Sequence, residues 1–110
     1  MKEYSAYLTF NDLEATDVEK IKRLAEEYSV QADIGSNYLE FDYVGRDTSR
    51  NVVKFFYCLS KVVVDAAGEV ACEIVNDDGD NEFEFYSIRN GLLICQVGKI
   101  IREAGRVVEF

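Results

Sequence analysis

The chain has 110 residues, of which 48% are hydrophobic and 30% are charged, and its formal net charge is −9. This length supports one domain over residues 1–110 and is too short for two ordinary domains. The absence of His and Trp excludes His-based nucleophile pairs and the commonest nitrogen ligand of zinc. The acidic balance argues against binding to nucleic acid or to an anionic membrane surface.

The amino-terminal and cysteine patterns favour an intracellular, cytoplasmic protein. Residues 1–10 carry charges and alternate apolar with polar side chains, so they lack the continuous apolar stretch of a secretory signal. No apolar run approaches the roughly 20 residues that a membrane-spanning helix needs. Cys58, Cys72 and Cys95 lie in apolar segments without C-x-x-C spacing. They are expected to be reduced, buried side chains, with no metal and no cofactor.

The first half of the chain predicts strand, helix, strand and strand. Residues 4–10 alternate apolar and polar side chains, which is typical of a strand with one face on a core. Thr16 and Glu19 form a capping-box pattern, and apolar residues then recur at helical spacing to about residue 28. A short strand is expected at Val30–Ile34, and a clearer one over residues 38–43 after the Gly35–Asn37 turn.

A second helix is predicted after Gly45, capped by Asp47 or Thr48 and ended by Gly68. Its broad apolar stripe places it on the core. Its many Val residues lower the intrinsic helix propensity, so Val62–Val64 could instead be a strand.

The last third is predicted to be rich in strands. Residues 70–75 and 82–86 alternate around a polar turn at 76–81 and therefore indicate a hairpin. Asn90–Gly91 is typical of a type I′ hairpin turn and should lead into a strand over residues 92–97. Residues 99–102 and 106–110 are expected to form further strands. Residues 92–104 could alternatively form one helix ended by Gly105.

Together these elements predict an α+β two-layer sandwich. The first six follow the ferredoxin-like βαββαβ order, and additional antiparallel strands follow them. This likeness concerns the fold alone and implies no function.

Charge layout provides the leading functional hypothesis. Residues 69–88 contain seven acidic residues and no Lys or Arg. On a hairpin, Glu73, Glu82 and Glu84 are expected to share one face, with the remaining carboxylates at the turn and an aromatic ring nearby. The predicted partner-binding residues are Glu73, Asp77, Asp78, Asp80, Glu82, Glu84 and Tyr86. Such a surface suits a non-enzymatic interaction protein that docks a basic protein, as inhibitors, immunity proteins and nucleic-acid mimics do. A solvated face balanced by bases from neighbouring strands is the alternative.

Other functions receive less support. An apolar pocket lined by Phe55, Phe56, Phe83 and Phe85 would make a small-molecule-binding module. An enzyme would depend on carboxylate pairs, Tyr or Cys58, and no catalytic motif accompanies them. The polar turn fails the calcium-loop pattern, because aligning Gly79 with the required glycine leaves apolar residues at two ligand positions.

Three tyrosines indicate a possible contact surface. Tyr7, Tyr38 and Tyr86 fall at positions opposite the predicted core residues of their strands. If the helices cover one side of the sheet, these rings lie on an open face that could form a homodimer. Cover by the carboxy-terminal strands, or ordinary surface exposure, would account for them equally well.

Overall fold

The computed structural model describes residues 1–76, 81–98 and 105–110, with the backbone alone at 97 and 98. The helices are α1 (Ala15–Glu27) and α2 (Asn51–Val62). The strands are β1 (Lys2–Thr9), β2 (Asp33–Ile34), β3 (Tyr38–Gly45), β4 (Ala67–Ile74), β5 (Glu82–Arg89), β6 (Leu92–Gly98) and β7 (Arg106–Val107).

All seven strands form one antiparallel sheet in the order β2-β3-β1-β4-β5-β6-β7. The predicted α+β class, with two helices and an antiparallel sheet, is confirmed. Strand β1 is central, because it pairs over its full length with β3 on one side and with β4 on the other. Residues that are distant along the chain therefore meet across β1.

The core lies between the helices and one face of the sheet. Every second residue of β1 is buried, beginning at Tyr4, and Leu8 has no exposed surface. Phe55 and Leu59 of α2 are also fully buried. We refer to this helix-covered side as the inner face and to the other side as the outer face. The alternation predicted for β1 is thus the alternation between these two faces.

Both helices differ from prediction at their ends. Helix α1 begins at Ala15, so Thr16 lies inside its first turn and the predicted capping box is wrong; the Glu14 side chain makes no capping hydrogen bond. Helix α2 ends at Val62 rather than near Gly68. The chain then turns at Val64, and the Ala66 amide donates to the Val63 carbonyl oxygen at 3.1 Å, so the alternative of a strand over Val62–Val64 is wrong as well. At the other end, Arg50 occupies the N-cap position and makes no side-chain capping hydrogen bond. The Asp47 carboxylate, three residues earlier, accepts hydrogen bonds from the Asn51 and Val52 amides, at 2.9 and 3.5 Å, so the Asp47 side chain caps the first turn as predicted.

Gly68 in β4 and Gly91 between β5 and β6 both have a positive φ. Gly68 belongs to β4 at φ 154°, where an added Cβ would collide with the Tyr7 carbonyl oxygen. Asn90 and Gly91 have φ values of 52° and 71°, the positive values that a type I′ turn requires, and the predicted hairpin between β5 and β6 is confirmed.

The described residues of the carboxy-terminal region include two strands, β6 and β7. Strand β6 excludes the alternative of a helix over residues 92–98. Of the strand predicted over 106–110, Arg106 and Val107 pair with β6. The strand predicted over 99–102 lies outside the described residues. Across the described residues, neither helix has the length and apolar character that crossing a membrane requires.

Candidate docking surface

The predicted acidic patch does not share one face. In the β4–β5 register, Glu73 lies opposite Phe83, whereas Glu84 lies opposite the buried Cys72. Glu73 therefore belongs to the outer face, and Glu82 and Glu84 belong to the inner side of the sheet. The expectation that these three carboxylates project together is wrong. Its error was to place Phe83 and Phe85 on the core side and the alternate residues of β5 on the open face.

The remaining predicted acids, Asp77, Asp78 and Asp80, lie outside the described residues. Tyr86, which was predicted on the open face, is 3% exposed and belongs to the core. Its hydroxyl donates a 2.6 Å hydrogen bond to Glu84 Oε2. Burial, followed by this carboxylate, raises the pKa of Tyr86. Tyr86 is therefore a core residue whose hydroxyl is held by the half-buried Glu84.

A second polar contact on the inner face involves Tyr4. Its hydroxyl donates to Asp47 Oδ2 at 2.9 Å, which joins β1 to the beginning of α2. Burial raises the pKa of Tyr4 and raises that of the neighbouring Cys72 to about 11. The Cys72 thiol therefore stays protonated at neutral pH and is a poor nucleophile. The inner face thus contains polar groups that hold elements together.

The cysteines are free thiols. Cys72 and Cys95 are buried as predicted, and Cys58 is half-buried with its Sγ 3.7 Å from the Tyr28 hydroxyl. Within residues 1–76, 81–98 and 105–110, no group of three or more Cys, Asp or Glu side chains is arranged to hold a metal ion.

The predicted aromatic pocket is absent from the described parts of the molecule. Phe55 and Phe56 are at most 1% exposed and pack in the core. Phe83 and Phe85 lie on the outer face, opposite Glu73 and Ala71 respectively. The sheet separates the two pairs of rings, so they cannot line one cavity.

The outer face of β1, β2, β3 and β4 is acidic, and we call this surface the acidic face. Its outward positions, all of them in described strands, carry six carboxylates and no Lys or Arg. These six residues are Glu3, Asp33, Glu40, Asp42, Glu69 and Glu73. They come from four strands, so their proximity depends on the sheet order. Five of the six are not among the predicted partner-binding residues, because the prediction considered the charge within one hairpin and Glu73 alone belongs to both sets.

Carboxylates lie side by side across the strands of the acidic face. Tyr7 stands between Glu40 of β3 and Glu69 of β4, and Glu3 lies directly opposite Glu73. Like charges at directly opposed positions are unfavourable. The Asp33 carboxylate in particular raises the pKa of Tyr38, as do partial burial and Glu40, which is the effect expected of a negative surface.

Aromatic side chains accompany these charges. Tyr7 is 52% exposed, and the half-buried Tyr38 lies opposite the outward-pointing Thr9, so both tyrosines occupy the outer face as predicted. The Phe83 and Phe85 rings stack with centroids 6.0 Å apart and an interplanar angle of 5°. Beside them lies a depression of about 400 Å³. An open, negative and partly aromatic surface is suited to binding a cationic protein.

The chain matches no protein-family model, and comparison with curated proteins and with solved structures yields no match. The functional argument therefore depends on the geometry of the acidic face.

Proposed function

We propose that this protein is a non-enzymatic interaction protein that binds a basic protein surface through its acidic face. The observation that carries the proposal is the concentration of six carboxylates, with no Lys or Arg, at the outward positions of β1 to β4. Complementary charge accelerates association and selects partners by sign. This is the physical basis on which inhibitors, immunity proteins and nucleic-acid mimics act.

The proposed partner is a different protein rather than a second copy. If two copies met through their acidic faces, the carboxylates of one copy would lie opposite those of the other, and like-charge juxtaposition across an interface costs several kcal/mol. Phe83, Phe85 and Tyr7 add the aromatic area that interfaces favour.

We also propose that β1 to β4 and the two helices form a ferredoxin-like unit within a single domain. The neighbour order β4-β1-β3-β2 and the antiparallel pairing support this arrangement. Free cysteines, two of them buried, support a reducing intracellular compartment.

Calorimetric titration with two defined probes, cytochrome c and a synthetic peptide of alternating Arg and Ala, tests the proposal. Replacing Glu40, Asp42 and Glu69 by Lys reverses three charges on the acidic face. We expect this variant to lose at least about tenfold in affinity, or roughly 1.4 kcal/mol, and to lose the salt dependence of binding.

The matched control replaces the exposed Glu19, Glu26 and Glu27 of α1 by Lys, which changes the net charge equally. Circular dichroism verifies that both variants fold. Equal losses in the two variants would show that affinity follows net charge alone, and the proposed docking surface would be discarded. The proposed docking surface would also be discarded if the unmodified protein bound neither cytochrome c nor the Arg–Ala peptide.

A further inference from the structure

One part of the acidic face is concave. The depression of about 400 Å³ has Ser5 and Ala71 in its floor, and the Phe83 and Phe85 rings form one side. Ser5 of β1 and Ala71 of β4 are directly opposed, and Phe85 of β5 is the next residue in the same row. Two small side chains beside a large aromatic one leave space that an incoming side chain can fill.

The aromatic wall offers a flat surface for a planar group. The two Phe rings are nearly parallel, and both occupy outward positions of β5. A cation over the face of a Phe ring is attracted by the ring's quadrupole. The planar guanidinium of Arg both stacks on such a ring and forms paired hydrogen bonds to a carboxylate, whereas the ammonium of Lys is a compact point charge.

Carboxylates lie where such a cation could reach them. Glu73 is directly opposite Phe83 and diagonal to Phe85, and diagonal neighbours on a sheet are about 7–8 Å apart. Asn81 Nδ2 donates to Glu73 Oε1 at 2.8 Å, which orients this carboxylate. Glu3 lies opposite Glu73 on the other side, so a cation between them would relieve their mutual repulsion.

We infer that the depression is an anchor pocket for one arginine side chain of the basic partner, with its guanidinium on Phe85 and its charge facing Glu73 and Glu3. This inference rests on the proposed function and specifies the residue type recognised. Asp42 borders the depression from β3, three strand spacings or about 14 Å from Phe85, so it is placed for a second basic residue of the same partner.

Three peptides that differ at one central residue test the pocket: Arg, Lys or citrulline, the neutral counterpart of Arg, in an otherwise identical basic sequence. Calorimetry with the intact protein should give at least about threefold tighter binding for Arg than for Lys, and the weakest binding for citrulline. In proton spectra of the bound peptide, the ring current of Phe85 should shift the Arg δ-methylene signals upfield.

Phe85→Leu keeps apolar bulk and removes the aromatic face. We expect this variant to bind the Arg and Lys peptides equally and to abolish the upfield shift. Tyr7→Leu is the matched control, because Tyr7 is an exposed aromatic residue of the same acidic face outside the depression; the Arg preference should survive in it.

The possible results separate the two proposals. Equal binding of Arg and Lys peptides by the unmodified protein, or an Arg preference that persists in Phe85→Leu, overturns the arginine pocket and leaves a docking surface that recognises charge alone. Absence of binding to all three peptides overturns both. Preferential binding of Arg that Phe85→Leu abolishes and Tyr7→Leu retains supports both.

Discussion

The same strands form both faces of the sheet, but the two faces differ in burial and in charge. On the inner face, Ala6 of β1 lies between Phe41 and Val70, and all three are buried. One residue further along, on the outer face, Tyr7 lies between Glu40 and Glu69. The inner row gains free energy by removing apolar surface from water, whereas the outer row concentrates charge of one sign.

This difference indicates that the inner face stabilises the fold, whereas the outer face can act in recognition. Among the described residues, every buried side-chain nitrogen or oxygen atom has a hydrogen-bond partner, so the inner face meets its polar requirements internally. The Glu3–Glu73 pair on the outer face opposes folding slightly, since like charges face each other. A surface that folding does not need, and that costs some stability, is consistent with a role in binding. Three stability measurements test this division.

Truncation of a core residue should have the largest effect. Phe55 has no exposed surface, and Phe→Ala substitutions at such sites cost about 3–5 kcal/mol through lost burial and a residual cavity. Tyr7→Ala on the outer face should change stability by no more than about 0.5 kcal/mol. Urea unfolding, with an unchanged denaturant slope, measures both. Similar losses from the two substitutions would show that both faces contribute to the core.

Alkaline pH should destabilise the inner face through its buried ionisable groups. Burial raises the pKa of Cys72 from 9.0 to about 11 and also raises that of Tyr4 from 10.0. The unfolded chain therefore releases these protons at lower pH than the folded protein. Stability from Cys72 is fully present below pH 9 and declines up to about pH 11, at most by about 1.4 kcal/mol per pH unit for each proton.

The Cys72→Ala variant isolates this contribution. Its free energy of unfolding, measured in urea from about one pH unit below the starting thiol pKa of 9.0 up to the raised pKa of about 11, should fall less steeply than that of the unmodified protein. Cys58→Ala is the control, because Cys58 is only half-buried. If the pH dependence is the same in both variants, the Cys72 thiol does not ionise differently in the folded and unfolded states.

The sequence predicted those elements in which local pattern and tertiary environment agree. The alternation in β1, the Asp47 cap and the Asn90–Gly91 turn each depend on neighbouring residues, and the structure confirms them. Strand β5 was predicted in the wrong orientation because both of its sets of alternating residues contain aromatic side chains. Phe83 could have faced the core as readily as Tyr86, and the choice depends on the register with β4.

The acidic face was beyond prediction for a similar reason. Its carboxylates lie on separate strands, and Glu40 and Glu69 flank Tyr7 only because β1 inserts between β3 and β4. A charge count along the chain finds the acidic stretch at 69–88 and misses this assembly. Strand order is a non-local property, and it decides which charges meet.

The smallest effect concerns the outer face, where one charge reversal should increase stability. Glu3→Lys places a cation opposite Glu73, and replacing repulsion by attraction in a cross-strand pair should add about 0.2–1 kcal/mol. Thr9→Lys is the control, because Thr9 lies opposite Tyr38 and Ala67 rather than a carboxylate. The gain from Glu3→Lys should shrink as salt screens the exposed pair. Thr9→Lys changes the net charge by half as much as Glu3→Lys, so a gain from Thr9→Lys that is half the gain from Glu3→Lys would mean that net charge, and not the local opposition of Glu3 and Glu73, sets the cost of the acidic face.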